Sequence, residues 1–184
     1  MGDLRIEGYV IISADGMLAD AQHVMPHTLK FECDKKFFEA ALDRADLIVH
    51  GRHSHEEQLN SSKRKRLILT RKIASLASDP ETPRASLWNP SGASFEEACG
   101  FVGINHGTVA VIGGPAVFEK FMDRYDVFWL SEAPQVHLPR GEGCFLGVPE
   151  HTPYQILAAH GLKPGEPRLL DPAQGVTVTP WRRG

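Results

Sequence analysis

The sequence VAVIGGPA, residues 109–116, places an apolar strand directly before two glycines and a proline. A second segment, LIVHGRHS at residues 47–54, shows the same order of apolar strand, glycine and helix start. Glycine lets a ligand approach the backbone because it has no Cβ, and the unpaired N–H groups of a helix start attract anions. Ligands of open parallel sheets bind beyond the carboxyl ends of the strands. The two segments therefore predict either a shared phosphate site or two structural turns.

The rest of the chain continues this alternation of strands and helices. A capping box, Ser94 to Glu97, predicts one helix start, and Asp34 is placed to cap another. The region 79–94 is rich in Pro, Ser and Asn and is expected to be a loop. Further strands are predicted at 9–12, 67–70, 127–131 and 176–181, and helices at 34–45, from Ser54, at 94–100 and at 115–124. This order predicts one α/β domain over residues 1–184, with a mainly parallel sheet covered on both faces.

Composition excludes several classes of function. The chain has 184 residues, and 20 Lys and Arg against 23 Asp and Glu give a formal net charge of −3. A chain with this charge balance has no overall positive potential that would attract nucleic acid or an anionic membrane surface. No apolar run approaches the roughly 20 residues that span a bilayer. Residues 1–8 lack the pattern of a signal peptide, so we expect a cytoplasmic protein that binds neither nucleic acid nor membrane.

The metal-binding residue types show no ligand spacing. The three cysteines stand far apart without a CxxC pair, which predicts buried thiols rather than disulfides or structural zinc. His50, His53 and His55 are close in sequence, but a strand, a glycine and a helix start would aim them in different directions. We therefore expect no bound metal.

Two groups of cations allow alternative interpretations. Thr70, Arg71 and Lys72 follow a predicted strand, where they would either hold the 2′-phosphate of NADPH or form a solvated edge. The run KRKR at 63–66 is either a solvated edge or a nucleic-acid contact, although no aromatic residue is interleaved with it. A Rossmann GxGxxG and a P-loop are both absent from the sequence.

Several segments, in the same order, resemble the dihydrofolate reductase superfamily. This superfamily includes the dihydrofolate reductases and the reductase domain of the riboflavin-biosynthesis deaminase-reductase. The similar segments are GYVIISADGMLA at 8–19, GRHSHE at 51–56, LILTR at 67–71, VIGGPAVF at 111–118 and DVFWLS at 126–131. The resemblance covers about residues 8–146. It implies a dihydrofolate-reductase-like fold, with a C-terminal antiparallel hairpin beside the parallel sheet.

The resemblance implies NADPH as hydride donor and assigns residues to each part of it. The phosphates would lie at the turn of Gly51, Arg52, His53 and Ser54, and the adenosine 2′-phosphate at Thr70 and Arg71. The pyrophosphate and nicotinamide would be lined by Gly113, Gly114, Ala116 and Val117, and the nicotinamide would also lie beside Ile11, Leu18 and Ala19.

On the substrate side, the resemblance implies that Asp34 holds an N–C–NH2 edge and helps to deliver a proton. Glu32 is the alternative acid, and a plain helix cap is the alternative role of Asp34. Phe38 would contact the substrate one helical turn later. Arg64 would meet an anionic tail, and Ser131 would provide a pocket hydroxyl.

The sequence departs from many dihydrofolate reductases at His27, where they have Trp, and at Phe118, where they have a Tyr near the nicotinamide. Phe118, together with residues 133–145, which are similar to the riboflavin-type reductase, favours the riboflavin-type group. We therefore expect an NADPH-dependent reductase of a small nitrogen heterocycle, resembling 5-amino-6-(5-phosphoribosylamino)uracil reductase and forming a homodimer. The alternatives are a dihydrofolate or pterin reductase and a non-catalytic protein that binds NADPH or a folate.

Overall fold

The apolar runs of the sequence form strands that join into one large sheet. The computed structural model of the protein describes residues 3–52 and 61–184. The strands in these residues are β1 Leu4–Ser13, β2 Met17–Ala19, β3 Leu47–Gly51, β4 Arg66–Leu69, β5 Leu76–Ser78, β6 Ala85–Trp88, β7 Gly107–Val111, β8 Val127–Ala133, β9 Glu142–Gly143, β10 Leu162–Pro164, β11 Arg168–Asp171 and β12 Val176–Arg183. The helices are α1 Glu32–Arg44, α2 Phe95–Phe101, α3 Pro115–Lys120 and α4 Pro153–Ala159, with 3₁₀ turns at His27–Leu29 and Ser61–Lys63.

The sheet has a parallel centre and antiparallel edges. Its strand order is β10-β12-β8-β1-β7-β3-β4-β6-β5, and β11 also pairs with β12. The six strands from β8 to β6 are mutually parallel. The strand β12 pairs with β8 antiparallel, and β5 pairs with β6 antiparallel. The predicted mainly parallel sheet with a C-terminal antiparallel hairpin is confirmed.

Side chains alternate along the strands and therefore build a core on each face of the sheet. Helix α1 covers one face, where Leu42 packs with Tyr9 and Ile48. The opposite face holds the larger core, in which Phe118 and Phe121 are nearly fully buried. The prediction of helices on both faces is confirmed, and α1 lies on the face that also carries the substrate-side residues.

Three local predictions differ from the structure. The region 79–94, expected to be a loop, contains the strand β6, which pairs with β4. The turn-forming residues around this strand give no local sign of that pairing. Helix α3 ends at Lys120, four residues before the predicted end. Helix α4 was not predicted, although Thr152 and Gln155 form a capping box, with hydrogen bonds of 3.1 and 2.9 Å.

Candidate functional site

The two glycine turns of the sequence meet at one edge of the sheet. The strands β3 and β7 are parallel neighbours, so their carboxyl ends lie side by side. The N–H of Gly51 donates to the carbonyl oxygen of Gly113 at 2.8 Å. A Cβ at Gly51 would lie 3.3 Å from Cγ2 of Val117 and within 4 Å of the Gly114 nitrogen. Glycine is therefore the residue that lets these two turns approach each other.

A split in the sheet opens next to these turns. The ladder between β1 and β7 ends at Gly8 and Val111, whereas β1 stays paired with β8 as far as Ser13. On its other side β7 keeps its contact with β3, because the Ile112 N–H donates to Val49 at 3.0 Å. The last five residues of β1 thus run without the β7 ladder on one side, and the split lies at the carboxyl edge where ligands of parallel sheets bind.

The adenosine-side residues of the sequence analysis are neighbours in the structure. The register pairs Gly51 with Leu69, so the residues that follow these two stand side by side. The guanidinium of Arg52 donates to the Thr70 hydroxyl oxygen at 3.3 Å, and Thr70 is 5% exposed. Arg71 is exposed beside it. His53 and Ser54, predicted for the phosphates, lie outside the described residues.

The residues predicted beside the nicotinamide lie on β1, on β2 and at the start of α3. Ile11 is buried on β1, within the segment that β7 leaves. Leu18 and Ala19 belong to β2, the short strand that follows the β1 turn, and Ala19 is buried. Val117 is buried next to Gly51, while Ala116 is exposed at the start of α3.

Asp34 and Ser131 are brought together over β1 and β8. Ser131 pairs with Ile11 in the β1–β8 ladder, so both side chains point to the face that α1 covers. Asp34 is the third residue of α1, and the Ser131 hydroxyl donates to its carboxylate. The expected helix cap is wrong: the cap position is Phe31, without a side-chain hydrogen bond. Glu32, the alternative acid, is exposed at the first position of the helix.

Burial changes the acidity of Asp34. Desolvation raises the pKa of this carboxyl to about 6, and the hydrogen bond from Ser131 partly offsets that rise. A carboxyl with such a pKa populates both protonation states near neutral pH, which is what a proton donor or acceptor requires. Strongly shifted acids in clefts are typical of functional sites.

Phe38 and Arg64 occupy different ends of α1. Phe38 lies one turn after Asp34 and packs on Tyr9, with ring centroids 6.2 Å apart. Arg64 binds Asp43 near the opposite end of the helix, with an N–O distance of 2.6 Å, and its side chain is 7% exposed. Nine residues separate Asp34 from Asp43, which is about 13 Å of helix. The structure therefore does not place Arg64 beside Asp34, and a ligand touching both must be extended.

The basic run of residues 63–66 is largely built into the protein. Arg64 and Arg66 are each 8% exposed, and the Lys65 ammonium donates to the Val102 carbonyl at 2.8 Å. The expectation of a solvated edge is therefore wrong for Arg64 and Arg66, which are buried, whereas Lys63 is exposed.

The described part of the chain offers neither a cluster of metal-ligating side chains nor a membrane-spanning helix. Residues 3–52 and 61–184 contain no group of three or more His, Cys, Asp or Glu side chains placed to hold a metal ion. No helix in these residues is both long and apolar enough to cross a bilayer.

The whole architecture is similar to that of solved reductase structures. The structure matches the diaminohydroxyphosphoribosylaminopyrimidine deaminase/5-amino-6-(5-phosphoribosylamino)uracil reductase of Thermotoga maritima with a TM-score of 0.68 and 16% identity, over 99% of this chain and 57% of that one. It matches a putative riboflavin biosynthesis protein from Shewanella sp. PV-4 with a TM-score of 0.64 and 16% identity, over 98% and 99% of the chains. The chain has the dihydrofolate-reductase-like fold.

A third match has the same fold. It is a dihydrofolate reductase from Enterococcus faecalis complexed with NADP(H) and RAB-propyl, with a TM-score of 0.64 and 16% identity over 98% of this chain and 96% of that one. No protein-family model matches this sequence, and neither does any curated protein. The resemblance proposed from the sequence motifs is confirmed at the level of the fold.

Two features of the candidate site could not be found from local sequence patterns alone. The split between β1 and β7 joins strands about a hundred residues apart, so no local pattern shows it. The second feature is the contact of Asp15, whose carboxylate accepts the Leu138 N–H at 3.1 Å. The signal in the sequence was Ser13 two residues before Asp15, a spacing at which short polar side chains bond each other or the local backbone.

Proposed function

We propose that the chain is an NADPH-dependent reductase of a small nitrogen heterocycle, with residues 1–184 forming one reductase domain. The observation that carries the proposal is the position of Asp34, a half-buried acid that accepts a hydrogen bond from Ser131, over the segment of β1 that borders the split in the sheet. The glycine turns of β3 and β7 adjoin the same split. A proton donor and a place for the hydride donor at one strand edge are the two parts that hydride transfer to an imine or a carbonyl requires.

The residues at this edge fit a phosphorylated dinucleotide. Close packing of Gly51 on the Gly113–Gly114 turn keeps side chains out of the path of a pyrophosphate. Arg52 and Arg71 supply positive charge next to the buried Thr70, which suits a 2′-phosphate. NADPH, when bound, supplies the hydride.

The substrate-side residues would bind the ring and hold its proton. The Asp34 carboxylate can accept hydrogen bonds from N–H groups of the heterocycle, and its raised pKa lets it supply the proton that accompanies hydride addition to an imine or an opened-sugar carbonyl. Ser131 orients this carboxylate by donating to it. Phe38 and Tyr9 form an apolar wall that excludes water from the face of the helix.

The proposed substrate is of the ribosylaminopyrimidine type. A folate would have to extend about 13 Å from Asp34 to reach Arg64, whose guanidinium already binds Asp43. The second candidate is a reduced pterin, which is favoured by the pairing of Asp34 with the aromatic Phe38 one turn later. The pterin would present an N–C–NH2 edge to Asp34, whereas the aminouracil would present ring N–H and amino donors to the same acid.

Thermal unfolding with NADPH and with NADH tests the cofactor first. A ligand present at about 100 times its dissociation constant adds about 2.7 kcal/mol of stability, so a clear rise of Tm with NADPH is expected. NADH should raise Tm less, because Thr70 and the neighbouring arginines would lack the 2′-phosphate. No rise with either nucleotide contradicts the proposal.

Turnover then separates an enzyme from a binding protein. NADPH oxidation at 340 nm would be followed with 5-amino-6-(5-phosphoribosylamino)uracil, its dephosphorylated form and dihydropterins. Reduction of the ribosylaminopyrimidine is the expected result. Binding of NADPH without oxidation by any of these compounds would instead support the non-catalytic alternative.

A further inference from the structure

Residues 134–145, here named the strap, run from β8 back across the β1–β2 turn. The Ala14 N–H donates to Val136 at 2.7 Å, and the Cys144 N–H donates to Gly16 at 3.1 Å. Within the strap, β9 pairs antiparallel with β2. The strap is therefore fastened along the whole turn that leads from β1 to β2.

The contact between strap and turn is close-packed. A Cβ at Gly141 would lie 2.5 Å from the Ala19 carbonyl oxygen and 3.1 Å from Cβ of Met17. Real side chains do not approach so closely, so this position must be glycine unless the backbone moves. The strap thus lies directly on β2, the strand that carries Leu18 and Ala19.

One carboxylate joins the turn to the strap. Both oxygens of Asp15 lie 3.1 Å from the Leu138 N–H, and the Ser13 hydroxyl donates to the same carboxylate. The Ser13 oxygen in turn accepts the Met17 N–H at 3.0 Å. Three segments, namely the end of β1, the start of β2 and the strap, therefore share a single polar network in which Ser13 is 1% exposed.

We infer that Asp15 is a positioning residue for the nicotinamide side of the site. By tying the turn to the strap, it fixes Leu18 and Ala19 beside the split in the sheet. This inference rests on the proposed function, since it assigns β2 to the reduced ring of NADPH. The adenosine side, at Arg52 and Thr70, belongs to β3 and β4 and does not share the network.

The variant Asp15→Asn tests this role with little change of volume. If the Asn oxygen takes the place of the oxygen that accepts from Ser13, the Leu138 N–H keeps one acceptor but meets the NH2 group, a second donor, where the other carboxylate oxygen lay. We expect NADPH affinity to fall about tenfold, as for the loss of a hydrogen bond to a partly buried charged group. Affinity for 2′,5′-ADP, which has the adenosine phosphates but no nicotinamide, should stay within about twofold of the wild type.

Two further variants make the result specific. Asp20→Asn is the matched control, because the Asp20 carboxylate accepts from Gln22 and Val24 within its own turn; both affinities should be unchanged. Ser13→Ala keeps Asp15 but removes its hydroxyl partner, and it should weaken NADPH binding less than Asp15→Asn does. It also tests the network if Asp15→Asn does not fold.

The outcomes distinguish this inference from the proposed function. Wild-type protein that binds NADPH, with Asp15→Asn and Ser13→Ala both binding it equally well, overturns the positioning role alone. An equal loss of NADPH and 2′,5′-ADP affinity also overturns it, because that result indicates a general structural role. Wild-type protein that binds neither ligand overturns the proposed function and this inference together.

Discussion

Two acids near the carboxyl end of β1, Asp15 and Asp34, have pKa values shifted in opposite directions. For Asp34, burial raises the pKa to about 6 against the single hydrogen bond from Ser131. For Asp15, burial also raises the pKa, but the hydrogen bonds from Ser13 and Leu138 outweigh it, and the net shift is downward. The stronger desolvation of Asp34 and the larger number of donors around Asp15 together produce the opposite shifts.

The opposite pKa shifts indicate two different roles: Asp34 can exchange a proton, whereas Asp15 fixes chain segments in place. A carboxyl poised near neutral pH can change its protonation state during a reaction. A carboxylate that accepts several hydrogen bonds remains an anion and fixes the segments that donate to it. Asp34, of the first kind, lies in the first turn of α1 on the proposed substrate side, and Asp15, of the second kind, lies in the turn between β1 and β2.

The largest expected effect is on turnover by Asp34→Asn. Asn keeps the shape and can still accept from Ser131, but it cannot take up or release a proton. We expect kcat to fall by a factor of about 100 to 1,000 with NADPH affinity unchanged. Steady-state kinetics on the proposed ribosylaminopyrimidine, together with direct NADPH titration, measures both quantities. Full activity in this variant would remove Asp34 from the mechanism.

The same variant should change the dependence of stability on pH. The folded-state pKa of Asp34 is raised, so its contribution to stability is present below the unfolded value of 3.8 and is lost as pH rises through about 6. The unfolding free energy of Asp34→Asn, relative to that of the wild type, should therefore rise by about 2 kcal/mol when the pH is raised from about 4 to about 7. Urea unfolding at both pH values measures the free energies.

A matched carboxylate makes that measurement specific. Glu32→Gln changes an exposed acid two residues earlier on the same helix. We expect the difference in unfolding free energy between this variant and the wild type to be the same at both pH values. A gain equal to that of Asp34→Asn would mean that the helix terminus, and not the buried carboxyl, carries the effect.

Ser131→Ala should sharpen the comparison by making the environment of Asp34 more extreme. Removing the donor eliminates the interaction that lowers the pKa, so Asp34 should titrate about one unit higher. The pH profile of kcat, or the carboxyl carbon chemical shift of Asp34, reports this change. An unchanged apparent pKa of Asp34 in this variant would show that the Ser131 hydroxyl does not act on the carboxylate.

The smallest expected effect is on the stability of Asp15→Asn, and its trend with pH is opposite. The lowered pKa of Asp15 means that its contribution is present above the unfolded pKa and is lost as pH falls. The variant should be about 1 kcal/mol less stable than the wild type at neutral pH. The difference should shrink on acidification, and chemical unfolding at several pH values measures it. A difference that grows towards low pH contradicts this assignment.

Local patterns predicted much of the fold. The apolar runs at residues 47–49, 67–70 and 109–112 each form a strand within a few residues of the predicted bounds. The capping box of Ser94 and Glu97 forms as expected, with hydrogen bonds of 3.0 and 3.1 Å. These features depend on neighbours in the chain, and this is why the sequence could predict them. The missed β6 depends instead on pairing with β4, which no local pattern shows.

The sequence by itself determined the order of strands and helices, the two glycine turns, and the identity of the acids that occur near them. The tertiary structure alone decided that Asp34 bonds Ser131, that Arg64 binds Asp43, and that Asp15 reaches Leu138. Each of these contacts joins residues that are far apart in the sequence. The role of a carboxylate depends on its burial and on its hydrogen-bond donors, and the packing of the chain sets both of these properties, because desolvation and hydrogen bonding act through space and not along the sequence.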